Sequence, residues 1–432
     1  MPGDTWHGRP CVYRGAVAEH IPGRLQVAQR ANVPPFHVMD LLAAAKERQA
    51  KYGDLVNFVA GQPSTGAPRA VREEAKRLLD EDLLGYTVAT GVPELRAAIA
   101  AHHGRTSGID VTADDVVVTT GSSGGFLLAF LAAFEPGDRV VMARPGYPCY
   151  RNVLTALGCE VVEIDCGAET RFQPTVAQLE AVPGAVAGVV IASPANPTGT
   201  MIPAEELAAI ARWCEERGVR LISDEIYHGI TYEVSTGSTT GGVSTGSTTG
   251  GSTVGGGSTT GLSSAWQTSR SGVTFGSFSK YFSMTGWRLG WMLVPADLRR
   301  PVDVLTGNFT ICPPVLAQYA ALAAFTPESY AELDGHVARY ADNRRILLDG
   351  LPRLGIDRLA PADGAFYVYA DVGHLTDDSY GWCLRMLEET GVAMAPGIDF
   401  DTRRGNEFVR LSFAGTATEI EEGLARLEAW LR

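Results

Sequence analysis

At 432 residues, 45% hydrophobic and 20% charged, the chain has the size for two domains and the composition of a globular protein with a substantial core. Its net charge of −13 argues against a nucleic-acid partner, whose phosphates need a basic face. No apolar run approaches a membrane span: the longest, 126–134, ends at Glu135-Pro136-Gly137 and reads as a buried helix.

The first 20 residues mix Asp, His, Arg, Gly and Pro and hold no apolar signal core. Seven cysteines are scattered without a Cys-x-x-Cys pair. An odd, unpatterned count points to small buried thiols in a reducing compartment, so the cytoplasm is expected. The eight histidines show no ligand spacing beyond the adjacent His102-His103, so no metal is implied.

From about residue 90, strand-like and helix-like stretches alternate. Strands are expected over 116–120, 139–143, 160–164, 188–192, 219–223, 273–277 and 290–294, several of them near-continuous β-branched runs suited to burial on both faces. Helices are expected over 124–134, 150–157 and 204–217, the last started by Pro203 and stopped by Gly218. This predicts an α/β layer built on a mostly parallel sheet, with ligands beyond the carboxyl ends of its strands. After Pro313-Pro314 the pattern shifts to long helices at 315–325 and 328–351, short strands near 365–371 and 408–413, and a last helix at 417–431. That reads as a smaller α+β domain, partnered by the N-terminal segment around 36–49. The expected division is 1–61 as arm and part of the small domain, 62–305 as the large domain and 306–432 as the rest of the small one.

One segment fits neither. Residues 235–261 are almost wholly Ser, Thr and Gly, and the octamer STGSTTGG occurs at 235–242 and 244–251. Lacking apolar residues, it should be a flexible surface insertion, which loop-closure entropy lets a fold carry at little cost.

Four polar clusters sit at predicted strand ends. Thr120-Gly121-Ser122-Ser123-Gly124-Gly125 opens a helix, where consecutive N–H groups can cradle a phosphate; an ordinary Gly-rich turn has the same composition. Ser193-Pro194-Ala195-Asn196-Pro197 aims an amide off a strand end, or merely caps its own turn. Ser223-Asp224-Glu225-Ile226-Tyr227 places a carboxylate where burial demands a cationic partner, unless Asp224 is a helix cap. Phe278-Ser279-Lys280 follows an apolar run, and Arg288 lies eight residues on within Gly286-Trp287-Arg288-Leu289-Gly290. A desolvated lysine amine forms Schiff bases with carbonyl compounds, and an arginine fork suits a phosphate dianion.

In this order the clusters resemble fold type I pyridoxal-phosphate enzymes, most closely the class I/II aminotransferases, from about Pro34 to the C-terminus. Tyr227 and Lys280 lie 53 residues apart, or 26 without the 27-residue insertion, an ordinary loop between neighbouring strands. The resemblance implies that Lys280 carries the cofactor as a Schiff base and later acts as general base. It implies that Asp224 keeps the pyridine nitrogen protonated, and that Asn196 and Tyr227 bond the ring hydroxyl oxygen. Tyr147, in Pro145-Gly146-Tyr147-Pro148, would stack on the ring; Ser122, Ser123, Ser277, Ser279 and Arg288 would hold the phosphate. Tyr86, in Gly85-Tyr86-Thr87, resembles the tyrosine that reaches a neighbouring subunit's phosphate, implying a homodimer with shared sites. Gly61 matches the glycine lying against the substrate carboxylate, and Arg410, in Val409-Arg410-Leu411-Ser412, the arginine that grips it. The implied reaction is ping-pong transamination between an L-amino acid and a 2-oxo acid.

A carbon–sulfur lyase on the same scaffold shares all these motifs. A regulator that borrows the fold would need a DNA-binding domain, and only about thirty residues precede the family-like region. Phe36, Tyr147 and Phe366 would line the mouth of the site or belong to the core; sequence leaves both open.

Overall fold

The computed structural model describes Leu25 and residues 27–232 and 262–432. The leader reading at 1–20 and the Ser/Thr/Gly segment at 235–261 lie outside the described residues. Twelve strands are present among these: β1 Val56–Asn57, β2 Val116–Thr119, β3 Arg139–Arg144, β4 Glu160–Asp165, β5 Gly188–Ala192, β6 Arg220–Asp224, β7 Val273–Ser277, β8 Gly290–Leu293, β9 Tyr367–Asp371, β10 Val392–Ala393, β11 Ala395–Pro396 and β12 Phe408–Ser412.

Seven of them form one sheet in the order β2-β8-β7-β6-β5-β3-β4. The pairs β3–β4, β3–β5, β5–β6 and β6–β7 are parallel, while β8 runs antiparallel to both its neighbours, β2 and β7. The fold is therefore the expected α/β layer with a mostly parallel sheet, and each strand lies within one residue of its predicted bounds. The central strands are buried along most of their length, as their β-branched runs require once helices cover both faces.

Helices differ from expectation mainly at their starts. The stretch expected over 124–134 begins at Gly121, because the apolar run marks the buried part of the helix and not its first turn. Ser122 and Ser123 thus sit in that first turn, where backbone N–H groups have no partner within the helix. Phe126, one turn on, stacks against Phe275 of β7 with ring centroids 4.0 Å apart. This buried pair locks the helix start to the strand that leads to Lys280; removing either ring would cost about 3–5 kcal/mol. Helix Ala204–Arg217 has its expected bounds, with acidic Glu205 and Glu206 in its first turn, Arg217 in its last and Gly218 left-handed at its end.

The C-terminal part carries a three-stranded antiparallel sheet, β11-β12-β9, against helices Ser379–Thr390, Pro327–Gly350 and Ala417–Leu431. The N-terminal segment joins it. Val56 of β1 pairs in parallel with Val392 of β10, and helix His37–Tyr52 begins with the His37 and Val38 N–H groups donating to the Asp399 carboxylate at 2.9 and 2.7 Å. Among the described residues, no helix is long and apolar enough to cross a membrane.

Candidate active site

The strand ends of the large sheet converge on a cavity of about 580 Å³ whose opposite wall comes from helix His37–Tyr52 and β12. Its lining includes Gly61, Ser122, Ser123, Tyr147, Asn196, Asp224, Tyr227, Ser279, Lys280, Arg288 and Arg410, nearly the whole set named from sequence. Two are placed elsewhere within the chain. Ser277, still in β7, is buried behind the wall and accepts the Ser279 N–H at 3.0 Å. Tyr86 lies on a stretch without regular secondary structure, with 83% of its surface exposed, outside the cavity.

Lys280 follows β7 in a tight turn, which swings its side chain back into the cavity. Its Nζ donates to the Gly61 carbonyl at 2.6 Å and lies 5.3 Å from the Tyr227 ring centroid. Burial lowers the amine pKa to about 8, the charges of Arg410 and, less strongly, Arg288 reinforce this, and Asp224 opposes it. The result is a substantial neutral fraction near physiological pH, which a nucleophilic or proton-accepting amine needs.

Asp224 is the last residue of β6 and is buried. Its Oδ1 accepts the Ile226 N–H at 3.1 Å, and its Oδ2 accepts the Tyr150 hydroxyl. Burial pushes its carboxyl up to about 6, against the pull of those two donors and of Lys280. Such a carboxylate is complete only with a cation beside it.

At the opposite end, Arg410 is buried in β12. Its Nη1 donates to Asn196 Oδ1 at 2.9 Å and its Nη2 to the Val59 carbonyl at 2.7 Å, while Nε, also buried, has no partner. The guanidinium lies over Tyr367 and Phe400, 4.4 and 5.0 Å from their centroids. Because Oδ1 of Asn196 accepts a hydrogen bond from Arg410, its Nδ2 is the atom left to donate into the cavity.

Ser122 and Ser123, Ser279 and Arg288 gather at the remaining corner. Arg288 sits at a left-handed φ of 53° and donates through Nη1 to the Thr285 carbonyl at 2.9 Å. Gly121, at φ 67°, allows this: a Cβ there would run into Arg288 Nη2. Free helix N–H groups, three hydroxyls and a guanidinium packed against a bare backbone are the donor set of a phosphate cradle.

The residues present fit pyridoxal phosphate: a phosphate cradle, a buried carboxylate awaiting a cationic ring nitrogen, an amide and a phenol facing inward, and a depressed lysine between them. The lining as a whole holds four cationic side chains, Lys46, Lys280, Arg288 and Arg410, against one carboxylate, Asp224.

The chain matches the family described as aminotransferase class I and II over residues 53–427. It belongs to that family. This aminotransferase is 62% identical over 406 residues to a valine–pyruvate aminotransferase of Mycobacterium tuberculosis, covering 94% of this chain and 98% of the relative. It is 33% identical to an aspartate/prephenate aminotransferase of Thermus thermophilus, covering 91% of this chain and 95% of the other. Among solved structures it superposes on an aminotransferase from M. tuberculosis with a TM-score of 0.87 at 62% identity, covering 94% of this chain and 99% of that one. An aspartate aminotransferase from T. thermophilus with maleate gives 0.83 at 30% identity, covering 94% and 100%. The aminotransferase is thus a pyridoxal-phosphate-dependent enzyme that moves an amino group between amino and 2-oxo acids. Of the chemistries weighed from sequence, the relatives support transamination over the lyase and the regulator.

Sequence reading passed over Tyr150 and Tyr367, both in the lining. Tyr150 follows Tyr147 by three residues at the start of helix Pro148–Ala156, so the pair shares one helix face, a spacing that was available to read. Tyr367 carried no such signal. Phe366, left open between site and core, is fully buried between Tyr340, Tyr227 and Tyr367 and belongs to the core, whereas Phe36 and Tyr147 meet edge to face at 6.2 Å in the cavity wall.

Proposed function

We propose that Lys280 is the lysine that carries pyridoxal phosphate and then shuttles the substrate proton. The observation that carries this is the convergence of a depressed amine, a buried carboxylate and a buried guanidinium on one cavity, from residues as far apart as Asp224, Lys280 and Arg410. When bound, the cofactor supplies an aldehyde that condenses with amines and a protonated ring that withdraws electrons from the substrate Cα. In this reading Asp224, held by Tyr150 and the Ile226 N–H, keeps the proton on the ring nitrogen. Asn196 Nδ2 and the Tyr227 phenol donate to the ring hydroxyl oxygen, and Tyr147 covers a ring face. Ser122, Ser123, Ser279 and Arg288 hold the phosphate, and Ser277 supports them by fixing the Ser279 N–H. Arg410 takes the substrate carboxylate in a two-pronged contact against the bare backbone of Gly61. Once the incoming substrate amine has taken its place on the cofactor, the free Lys280 amine would accept the proton from Cα and return it on the cofactor side. It would end the first half-reaction free and be rejoined to the cofactor when the second closes the cycle.

The cavity lining also includes the apolar side chains of Phe36, Val38, Met39, Leu42 and Leu55, which in this reading face the substrate side chain. That wall supports an aliphatic L-amino acid, with valine and pyruvate as the first pair to try given the relative's name. The exposed Tyr86 fits a homodimer in which the partner subunit's Tyr86 completes the phosphate contacts. Division into an N-terminal arm (1–61), a large cofactor domain (62–305) and a small domain (306–432), and residence in the cytoplasm, accompany this reading.

Borohydride treatment of the enzyme followed by peptide mass mapping tests it: a pyridoxyl adduct is expected on Lys280. Lys280→Ala should lose both adduct and turnover; full activity in that variant would falsify the assignment. A half-reaction screen of amino acids then ranks substrates.

A further inference from the structure

Two phenols meet on the cavity floor. Tyr367, the first residue of β9, is fully buried, and its Oη lies 2.8 Å from Tyr227 Oη. The two rings stand nearly perpendicular, at 80°, so the contact is made by the hydroxyls and not by the ring faces. Tyr367 also touches the other two parts of the site. The Arg410 guanidinium lies over its ring at 4.4 Å, and a Cβ on Gly61 would come within 2.9 Å of its Oη. One hydroxyl group thus contacts Tyr227 and the backbone that holds Lys280, while the same ring supports the carboxylate fork.

A hydrogen bond between two hydroxyls carries one proton, and it runs in one direction. If Tyr227 donates to Tyr367, its only proton is consumed inside the wall. If Tyr367 donates, Tyr227 keeps its own proton for an acceptor in the cavity, and a chain of donors polarises each bond in turn. Burial raises both phenols, so both stay protonated. Their shared bond raises Tyr227 further and lowers Tyr367, the pattern of Tyr227 as donor within the wall. A ring oxygen in the cavity offers the Tyr227 proton a second acceptor, toward which the bond can reverse.

We propose that Tyr367 is a positioning residue for transamination: its hydroxyl donates to Tyr227 Oη and so turns the Tyr227 proton toward the ring oxygen of bound cofactor, while its ring seats Arg410. This rests on the reading that Tyr227 faces that ring oxygen. It differs from a plain packing role because the effect passes through one hydroxyl, not through the ring.

The test uses holoenzyme of four forms: wild type, Tyr367→Phe, Tyr227→Phe and the double variant. In each, the visible absorbance of bound cofactor is titrated with pH, and the single-turnover rate with the amino acid is measured. Phenylalanine keeps the buried ring, and cofactor content per chain with thermal midpoint checks that each variant folds. Tyr227→Phe should move the titration midpoint upward. Tyr367→Phe should move it the same way by about 0.5–1 pH unit and slow the half-reaction by about tenfold. The double variant should match Tyr227→Phe alone, the non-additivity expected of groups acting in series. The inference falls if Tyr367→Phe leaves the midpoint in place while Tyr227→Phe moves it, or if the two effects add in full. A Tyr227→Phe midpoint equal to wild type overturns the reading of Tyr227 itself, and the inference with it.

Discussion

Arg410 and Asn196, 214 residues apart, share a 2.9 Å hydrogen bond that ties the substrate end of the cavity to the cofactor end. The bond settles which way the Asn196 amide points, since its oxygen must face the guanidinium. It also means that a carboxylate arriving at Arg410 meets a fork already half engaged, with Nε free and Nη1 shared. Carboxylate binding and the amide's orientation are therefore coupled through one side chain.

Arg410→Lys should retain the charge but lose the fork. The substrate KM is expected to rise, and kcat/KM to fall by about a hundredfold, the scale for truncating one partner of a buried charged contact. Steady-state kinetics with absorbance of bound cofactor checks this: the absorbance titration should shift as well, because the Asn196 amide loses the partner that orients it.

Tyr150→Phe removes one of two donors that stabilise the Asp224 carboxylate. Without it the Asp224 carboxyl should titrate at still higher pH. Protonated Asp224 cannot hold a cationic ring nitrogen, so cofactor affinity is expected to weaken on acidification in wild type as pH passes below about 6. In the variant the same loss should begin at higher pH. Equilibrium dialysis of the cofactor between pH 5 and 8 gives the two curves.

Lys280 makes a stability prediction whose sign is fixed. Its amine titrates near 8 in the fold and near its ordinary value of 10.5 when unfolded. Between those values the unfolded chain binds more protons, so stability of the cofactor-free protein rises with pH across that window. Below pH 8 the cost of holding a cation in this partly enclosed position remains, on the order of 1–3 kcal/mol. Lys280→Met should therefore raise the melting temperature of cofactor-free protein at pH 7, and the gain should shrink as pH climbs from 8 toward 10. Calorimetry at several pH values tests both parts.

Gly121→Ala puts a methyl group into the Arg288 fork and forces a residue with a Cβ into a left-handed conformation. Cofactor affinity should drop about ten- to a hundredfold, as expected when a charged contact worth roughly 1.5–3 kcal/mol is displaced. Thermal stability of the cofactor-free form should fall by less than about 1–2 kcal/mol. An affinity within twofold of wild type would show that Arg288 does not hold the phosphate.

Sequence carried the large sheet well because buried parallel strands leave continuous β-branched runs, such as Gly188–Ala192 and Val273–Ser277. It carried the cofactor end of the site because those side chains follow such strands in chain order. It missed helix Ala296–Phe309, which contains Pro301, and helix Pro93–Ser107, where Gly104 and adjacent histidines blur the apolar face. It also missed contacts that only the fold creates. The Tyr227–Tyr367 pair spans 140 residues, and β1 finds β10 across more than three hundred. Tyr86 shows the same limit from the other side: a motif marks it, while its exposed position gives it no role within a single chain.

The imbalance of four cations against one carboxylate in the cavity has a practical outcome in a chain of net charge −13. The catalytic hollow is an electropositive spot inside an otherwise acidic surface, so small anions are drawn inward while the exterior repels them. Capture of cofactor and of oxo acids should then slow as ionic strength rises. Inorganic sulfate and phosphate should act as competitive inhibitors, which makes the choice of assay buffer part of the chemistry.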